Sequence, residues 1–159
     1  MKGSPEVAVN EEREKVYRDW VAEHPVEKGM GWAKEPWCQE EMPVSAALAA
    51  EAAAQSDLAL VIIGRTAGED KDNSPTEGSY LLTQTEAQML ETVCGAFKRV
   101  AVLLNVGNII HMKWVAKYDP AAVLYVWPGG QEGGAGVLAV LTGPVPPRGR
   151  PTPPSATDH

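Results

Sequence analysis

The sequence predicts an α/β fold: a three-layer sandwich around a mainly parallel sheet, truncated to fewer strands than such sheets ordinarily carry. Three observations lead there. Apolar runs recur at 58–64 (LALVIIG), 99–106 (RVAVLLNV) and 121–127 (AAVLYVW). A stretch with helical periodicity follows each run, and strands separated by helices are joined by crossovers that leave them parallel. The runs are also continuously apolar rather than alternating, the pattern of strands buried on both faces.

The elements follow in order. Residues 10–22 read as a helix: Asn10 caps it, Glu11, Glu12 and Glu14 favour its positive end, and Val16, Tyr17, Trp20 and Val21 share apolar spacings. Pro25 stops it. Residues 25–43 are loop, with Gly29, Gly31, Pro36 and Pro43 interleaved with Trp32, Trp37 and Met42. Ser45 caps an alanine-rich helix over 46–56. After the first strand, 83–97 is a helix with a Thr83 cap and Glu86 at the capping-box position, and Met89, Leu90, Val93 and Phe97 lie on one side. Residues 109–118 form a short helix after the second strand. Gly129 and Gly130 make a tight turn into a helix over 131–143. The tail 143–159 holds six prolines and reads as extended or disordered. Three regions result: an N-terminal helix and aromatic loop (1–44), the sandwich core (45–143) and the Pro-rich tail (144–159).

Charge narrows the function. The chain carries 14 basic and 21 acidic side chains, a net of −7. Residues 1–77 hold 16 acids and 8 bases (−8), and residues 78–159 hold 5 acids and 6 bases (+1). No basic stripe exists for nucleic acid, and the acidic half does not suit an anionic membrane surface. No apolar run approaches the roughly 20 residues a membrane span needs. The opening MKGSPEVAVNEE has no apolar signal-peptide region, which points to the cytoplasm. Cys38 and Cys94 have no metal-ligand spacing and read as two reduced thiols.

Ligands of parallel α/β sheets sit beyond the carboxyl ends of the strands. Three loops qualify: the long polar 64–82, with Glu69, Asp70, Asp72 and Glu77; the Asn105, Gly107, Asn108 turn; and PGGQEGG at 128–134. The first is not a calcium loop, because an EF-hand begun at Asp70 needs Gly where Pro75 stands and Glu where Leu81 stands. Its composition fits a solvated face, but its length favours function. Gly134, Gly136 and Ala139 match G-x-G-x-x-A, yet Gly134 comes several residues too late after the strand, inside a predicted helix with little chain following it, so dinucleotide binding is rejected. No metal site and no cofactor are expected.

The ordered set IIGRTAGEDKDNSPTEGSYLLTQTEAQML, VAVLLNVGNIIHMKWV and AVLYVWPGGQEGGAGVLAVLTGPVPPRGR resembles the α/β-sandwich domain of family 3 glycoside hydrolases, the β-glucosidase type, over about 56–150. KGMGWAKEPWCQEEMP (28–43) is similar to a stretch before that domain's second strand in bacterial members. The resemblance implies a retaining glycosidase with two carboxyl groups roughly 5–5.5 Å apart. The nucleophile is then an Asp on a (β/α)8 barrel, in a Ser-Asp-Trp-like motif. The acid/base is a Glu from the loop after the sandwich's second strand, in a Gly-Glu-Gly-x-Asp-Arg pattern. Gly68, Glu69 and Asp72 match that pattern, whereas Asp70 and Asn73 replace its second glycine and its arginine.

The implied acid/base is Glu69, with Glu77 as runner-up. Asp70 and Asp72, if turned inward, would help raise its pKa. Trp32 and Trp37 either cover a sugar face or pin their loop. Arg18-Asp19-Trp20 lies on a predicted helix and is read as a surface Asp beside a packing Trp, because no barrel is encoded here and a barrel needs about 250 residues.

The resemblance also implies departures. The sandwich's expected first strand is lacking, Ala139 stands where many members have Asp, and the tail diverges after Arg150. The chain is therefore expected to be a piece of a glycosidase, inactive alone. Its partners would be a β-linked glucoside or oligosaccharide and a missing barrel domain, with self-association through an unpaired sheet edge. The alternative is a non-catalytic stand-alone sugar-binding or scaffold domain. A nucleotide-binding module is disfavoured by the misplaced glycines.

Overall fold

The computed structural model describes residues 11–25, 35–66 and 72–149. Helix α1 (Glu11–Glu23) ends before Pro25. It is an exposed helix laced by Lys15–Asp19 at 2.6 Å and Arg18–Glu14 at 2.5 Å, and Arg13 reaches Glu51 at 3.1 Å. Trp20 stacks on His24 with ring centroids 3.9 Å apart. Asp19 is thus a paired surface carboxylate on a helix, the place its sequence context gave it.

Helix α2 (Ala46–Gln55) starts at Ser45, whose Oγ accepts from the Leu48 amide at 3.2 Å. Strands β1 (Ala59–Gly64), β2 (Val100–Asn105) and β3 (Ala122–Tyr125) form one parallel sheet in the order β1-β2-β3. The register runs Ala59 against Val100 to Gly64 against Asn105, then Ala101 against Ala122 to Leu104 against Tyr125. Helix α3 (Gln84–Ala96) follows β1, α4 (Lys113–Tyr118) follows β2, and α5 (Gly133–Leu141) follows β3.

The core lies on one face of the sheet. Val61, Ile63, Val102 and Leu104 point into it, where they meet Met89, Leu90 and Val93 of α3 and Trp114 of α4. These three α3 residues and Phe97, packed at the rim, are the stripe that the helical spacing predicts. Burial on the other face is uneven, which corrects the expectation of strands buried on both sides. Leu103 is buried there, but Ile62 is 58% exposed. A continuous apolar run specifies that a face can be covered; it does not supply the layer that covers it.

One helix start differs clearly from the sequence reading. Helix α4 begins at Lys113 rather than 109. The amides before it are taken sideways instead: Ile110 N–H donates to Tyr125 Oη at 3.2 Å, and His111 N–H donates to the Tyr80 carbonyl at 2.8 Å. Helix α5 has no buried residue. The glycine turn before it is as expected: Gly130 has φ +59°, and a Cβ on Gly129 would lie 2.6 Å from Gly133 Cα. The start of the tail, 144–149, has no regular structure, and the rest lies outside the described residues. No helix among the described residues is long and apolar enough to cross a membrane.

Candidate active site

The carboxyl ends of all three parallel strands open onto one edge of the sheet, and the long loop leaves β1 there. Arg65 is its first residue, and its guanidinium turns back inward. Arg65 and Glu86 side chains are only 5% and 4% exposed and meet in a bidentate pair, Nη1 to Oε1 at 2.6 Å and Nη2 to Oε2 at 2.8 Å. The other Arg65 donors go to backbone: Nε to the Ser79 carbonyl at 2.9 Å, Nη2 to the Leu81 carbonyl at 3.2 Å, and Nη1 to the Gly64 carbonyl at 2.7 Å. Glu86 also closes the expected capping box. Its Oε2 accepts from Thr83 N–H at 2.8 Å, while Thr83 Oγ1 accepts from Glu86 N–H at 3.1 Å.

The rest of the loop is tied to its neighbours. Thr66 donates its amide to the Trp37 carbonyl at 2.7 Å and its hydroxyl to the Pro36 carbonyl at 2.6 Å. Asn73 Nδ2 donates to the Ile109 carbonyl at 2.8 Å, and the Ser74 amide donates to Ser79 Oγ at 3.0 Å. Gly78 has φ +76°, and a Cβ there would lie 2.8 Å from Cys38 Sγ, so only glycine lets the loop pack this tightly on the 35–44 segment.

Glu69, Asp70 and Trp32 lie outside the described residues. Trp37 is half-buried and sits at the root of the loop through its bond to Thr66. Asp72 is exposed rather than turned inward. Glu77 is exposed as well, and its backbone bridges to Leu81. Trp127, which sequence reasoning passed over as strand, is half-exposed at the carboxyl end of β3 and leans on Tyr125 with centroids 5.1 Å apart. Its φ of +53°, directly before Pro128, is a conformation that costs a non-glycine residue on the order of 1–3 kcal/mol.

Beside the loop a cavity of about 770 Å³ runs along the outer edge of β1, walled by α1, the 35–44 segment, α2 and α3. Ala59 and Arg65 donate their amides toward β2, so the alternating amides of Leu60, Ile62 and Gly64 face this side, where no strand among the described residues pairs with them. Burial pushes the Glu41 carboxyl above its ordinary range; the Met42 amide opposes this, and the Glu86 charge adds to it. Burial likewise raises the Cys38 thiol, with Glu86 adding to the rise, and the Tyr17 hydroxyl, with Glu41 adding to that one. Cys38 and Cys94 are free thiols, and no group of metal-ligating side chains occurs among the described residues.

The model of the glycosyl hydrolase family 3 C-terminal domain matches residues 4–157. The chain belongs to glycosyl hydrolase family 3. It is 53% identical over 142 residues to a β-glucosidase of Ruminococcus albus, a match that covers 89% of this chain and 15% of the relative. The crystal structure of a β-glucosidase from Paenibacillus barengoltzii superposes with a TM-score of 0.86 at 49% identity, covering 91% of this chain and 16% of that one. β-Glucosidase 3B from Thermotoga neapolitana in complex with glucose superposes with a TM-score of 0.72 at 29% identity, covering 86% and 20%. This family 3 domain thus spans only 15% to 20% of the length of these relatives.

Sequence reasoning found this loop but missed its anchor. Glu86 was legible as a cap. Its pairing with Arg65 was not, because the two residues stand 21 apart and only the crossover from β1 to α3 brings them together. The available signal was an arginine directly after an apolar strand, at the mouth of a loop that has to be held.

Proposed function

We propose that this chain is the acid/base-bearing part of a retaining β-glucosidase, and that Glu69 protonates the leaving glycosidic oxygen and then activates water. The observation that carries the reading is the loop that leaves β1 at the carboxyl edge of the sheet, with both flanks of 67–71 fixed by hydrogen bonds, in a chain 53% identical to a β-glucosidase. Parallel α/β sheets place their ligands at this edge. Trp37, held at the root of the loop, and Trp32 offer aromatic faces to the sugar rings. The nucleophilic carboxylate and most of the sugar pocket come from a barrel domain in the remaining length that the relatives have. The substrate is a β-linked glucoside or oligosaccharide, and the reaction takes place in the cytoplasm.

The chemistry divides accordingly. The first step needs a proton on the departing oxygen, and the second needs that same group as a base. A carboxyl that serves both has to titrate above the ordinary Glu value near 4.3. Closing a second domain over it removes water and brings the nucleophile's charge near, and both effects act in that direction.

The test compares two proteins on a chromogenic aryl β-glucoside. One is the 159-residue chain alone. The other is the R. albus β-glucosidase with its matching segment replaced by this chain. The chain alone should give no turnover and the chimera should be active. Turnover by the chain alone, or a folded but inactive chimera, would overturn the proposal and favour a non-catalytic sugar-binding or scaffold domain.

A further inference from the structure

We propose that Arg65 and Glu86 are positioning residues that hold the loop carrying Glu69 in register with the reacting oxygen; this rests on the acid/base reading of Glu69. A guanidinium has five N–H donors. All five of Arg65 are used: two on the Glu86 carboxylate and one each on the carbonyls of Gly64, Ser79 and Leu81. Gly64 is the last residue before the loop. Ser79 and Leu81 are its return, and Glu86 is in the first turn of α3. One side chain therefore ties the entry of the loop, its exit and the helix behind it.

Stability alone does not call for such a pair. A buried ion pair recovers its desolvation cost only with good geometry, and apolar residues of similar volume often serve as well. What apolar residues cannot do is fix three carbonyls and a carboxylate at set distances and angles. The planar fork does this, and lysine does not reproduce it. The loop's entry and its return are held together by this one guanidinium. Its flanks are secured independently, with Thr66 on the Pro36 and Trp37 carbonyls and Asn73 on the Ile109 carbonyl. A general acid needs fixed flanks, because a displacement of about 1 Å costs on the order of 100-fold in rate.

Two variants separate positioning from folding. Arg65→Lys keeps the charge and loses the fork. Arg65→Met/Glu86→Gln removes both charges together, and the glutamine retains an acceptor for the Thr83 amide. The first measurement is amide hydrogen exchange on the chain itself. Amides of Thr66 and of Ser79 to Leu81 should exchange at least about tenfold faster in both variants, while those of Val102 to Leu104 and Leu90 to Val93 keep their rates. Unchanged exchange at Ser79 to Leu81, or loosening of the whole chain, overturns the clamp.

The second measurement is kcat/KM in the R. albus chimera across leaving groups. A dinitrophenyl group departs without a proton, and a methyl group requires one. The variants should lose about 10- to 100-fold on methyl β-glucoside and less than about threefold on dinitrophenyl β-glucoside. Equal losses on both substrates, or none, would reduce the pair to a structural role. Glu69→Gln in the same chimera is the reference. If it shows no leaving-group dependence, the acid/base reading itself fails, and hydrogen exchange still judges the clamp.

Discussion

Leu104→Ala and Ile62→Ala make the same kind of truncation on opposite faces of the sheet, and they should differ severalfold in cost. Leu104 is fully buried on the central strand, in register with Ile63 on one side and Tyr125 on the other. Truncation to alanine deletes about three carbons, worth about 2.4 kcal/mol of transfer free energy at about 0.8 kcal/mol each. The space left between β2 and α3 adds a cavity term, which brings the expected loss to about 3–4 kcal/mol. In a chain of 159 residues that lowers the melting temperature by about 10 °C. Ile62 is 58% exposed on the other face, so its truncation should cost no more than about 1 kcal/mol, mostly lost strand preference. The assay is urea unfolding followed by circular dichroism, with the slope checked for constancy. Equal losses at the two positions would refute the one-sided core and mean that something covers the Ile62 face in solution. A loss below about 1 kcal/mol at Leu104 would refute the packing of α3 on the sheet.

Three other outcomes follow from the geometry. Glu41 is held above its ordinary pKa by burial, so its ionisation costs stability as pH rises through its unfolded and then its folded pKa; Glu41→Gln should flatten that loss and stabilise the chain at pH 7, as read by melting temperature against pH. Gly78→Ala meets both a positive φ and Cys38 Sγ at 2.8 Å, and should destabilise by about 1–3 kcal/mol in the same unfolding assay. The β1 edge, which no strand among the described residues pairs with, runs along the 770 Å³ cavity and should make the chain associate with itself, seen as a concentration-dependent mass by light scattering; a monomer at every concentration would contradict it.

The sheet was legible because each strand is an apolar run bounded by turn residues, and the caps were legible because Ser45 and Thr83 stand where helix starts need an oxygen. Residues 109–112 were misread as helix because apolar content resembles a helical turn there. Nothing local reveals that Tyr125 and Tyr80, distant in sequence, take the Ile110 and His111 amides. Exposure of Ile62 was illegible for a related reason, since periodicity describes a strand and not the layers packed on it. At the candidate site, Glu69 was singled out by family resemblance and by its place in a long loop after β1. Charge counting alone would have left the loop a solvated face. The Arg65 clamp and the left-handed Trp127 depend on contacts and dihedrals that only the folded chain has.

The acid/base role of Glu69 is tested most directly by azide rescue of Glu69→Ala in the R. albus chimera, with dinitrophenyl β-glucoside as substrate. That leaving group needs no acid, so the glycosyl-enzyme should form and then stall for want of a base. Azide attacks without a base, so turnover should recover with added azide and the product should be β-glucosyl azide, with retained configuration. Turnover that ignores azide, or an unimpaired Glu69→Ala chimera, would contradict the assignment and move the acid/base to Glu77 or out of this chain.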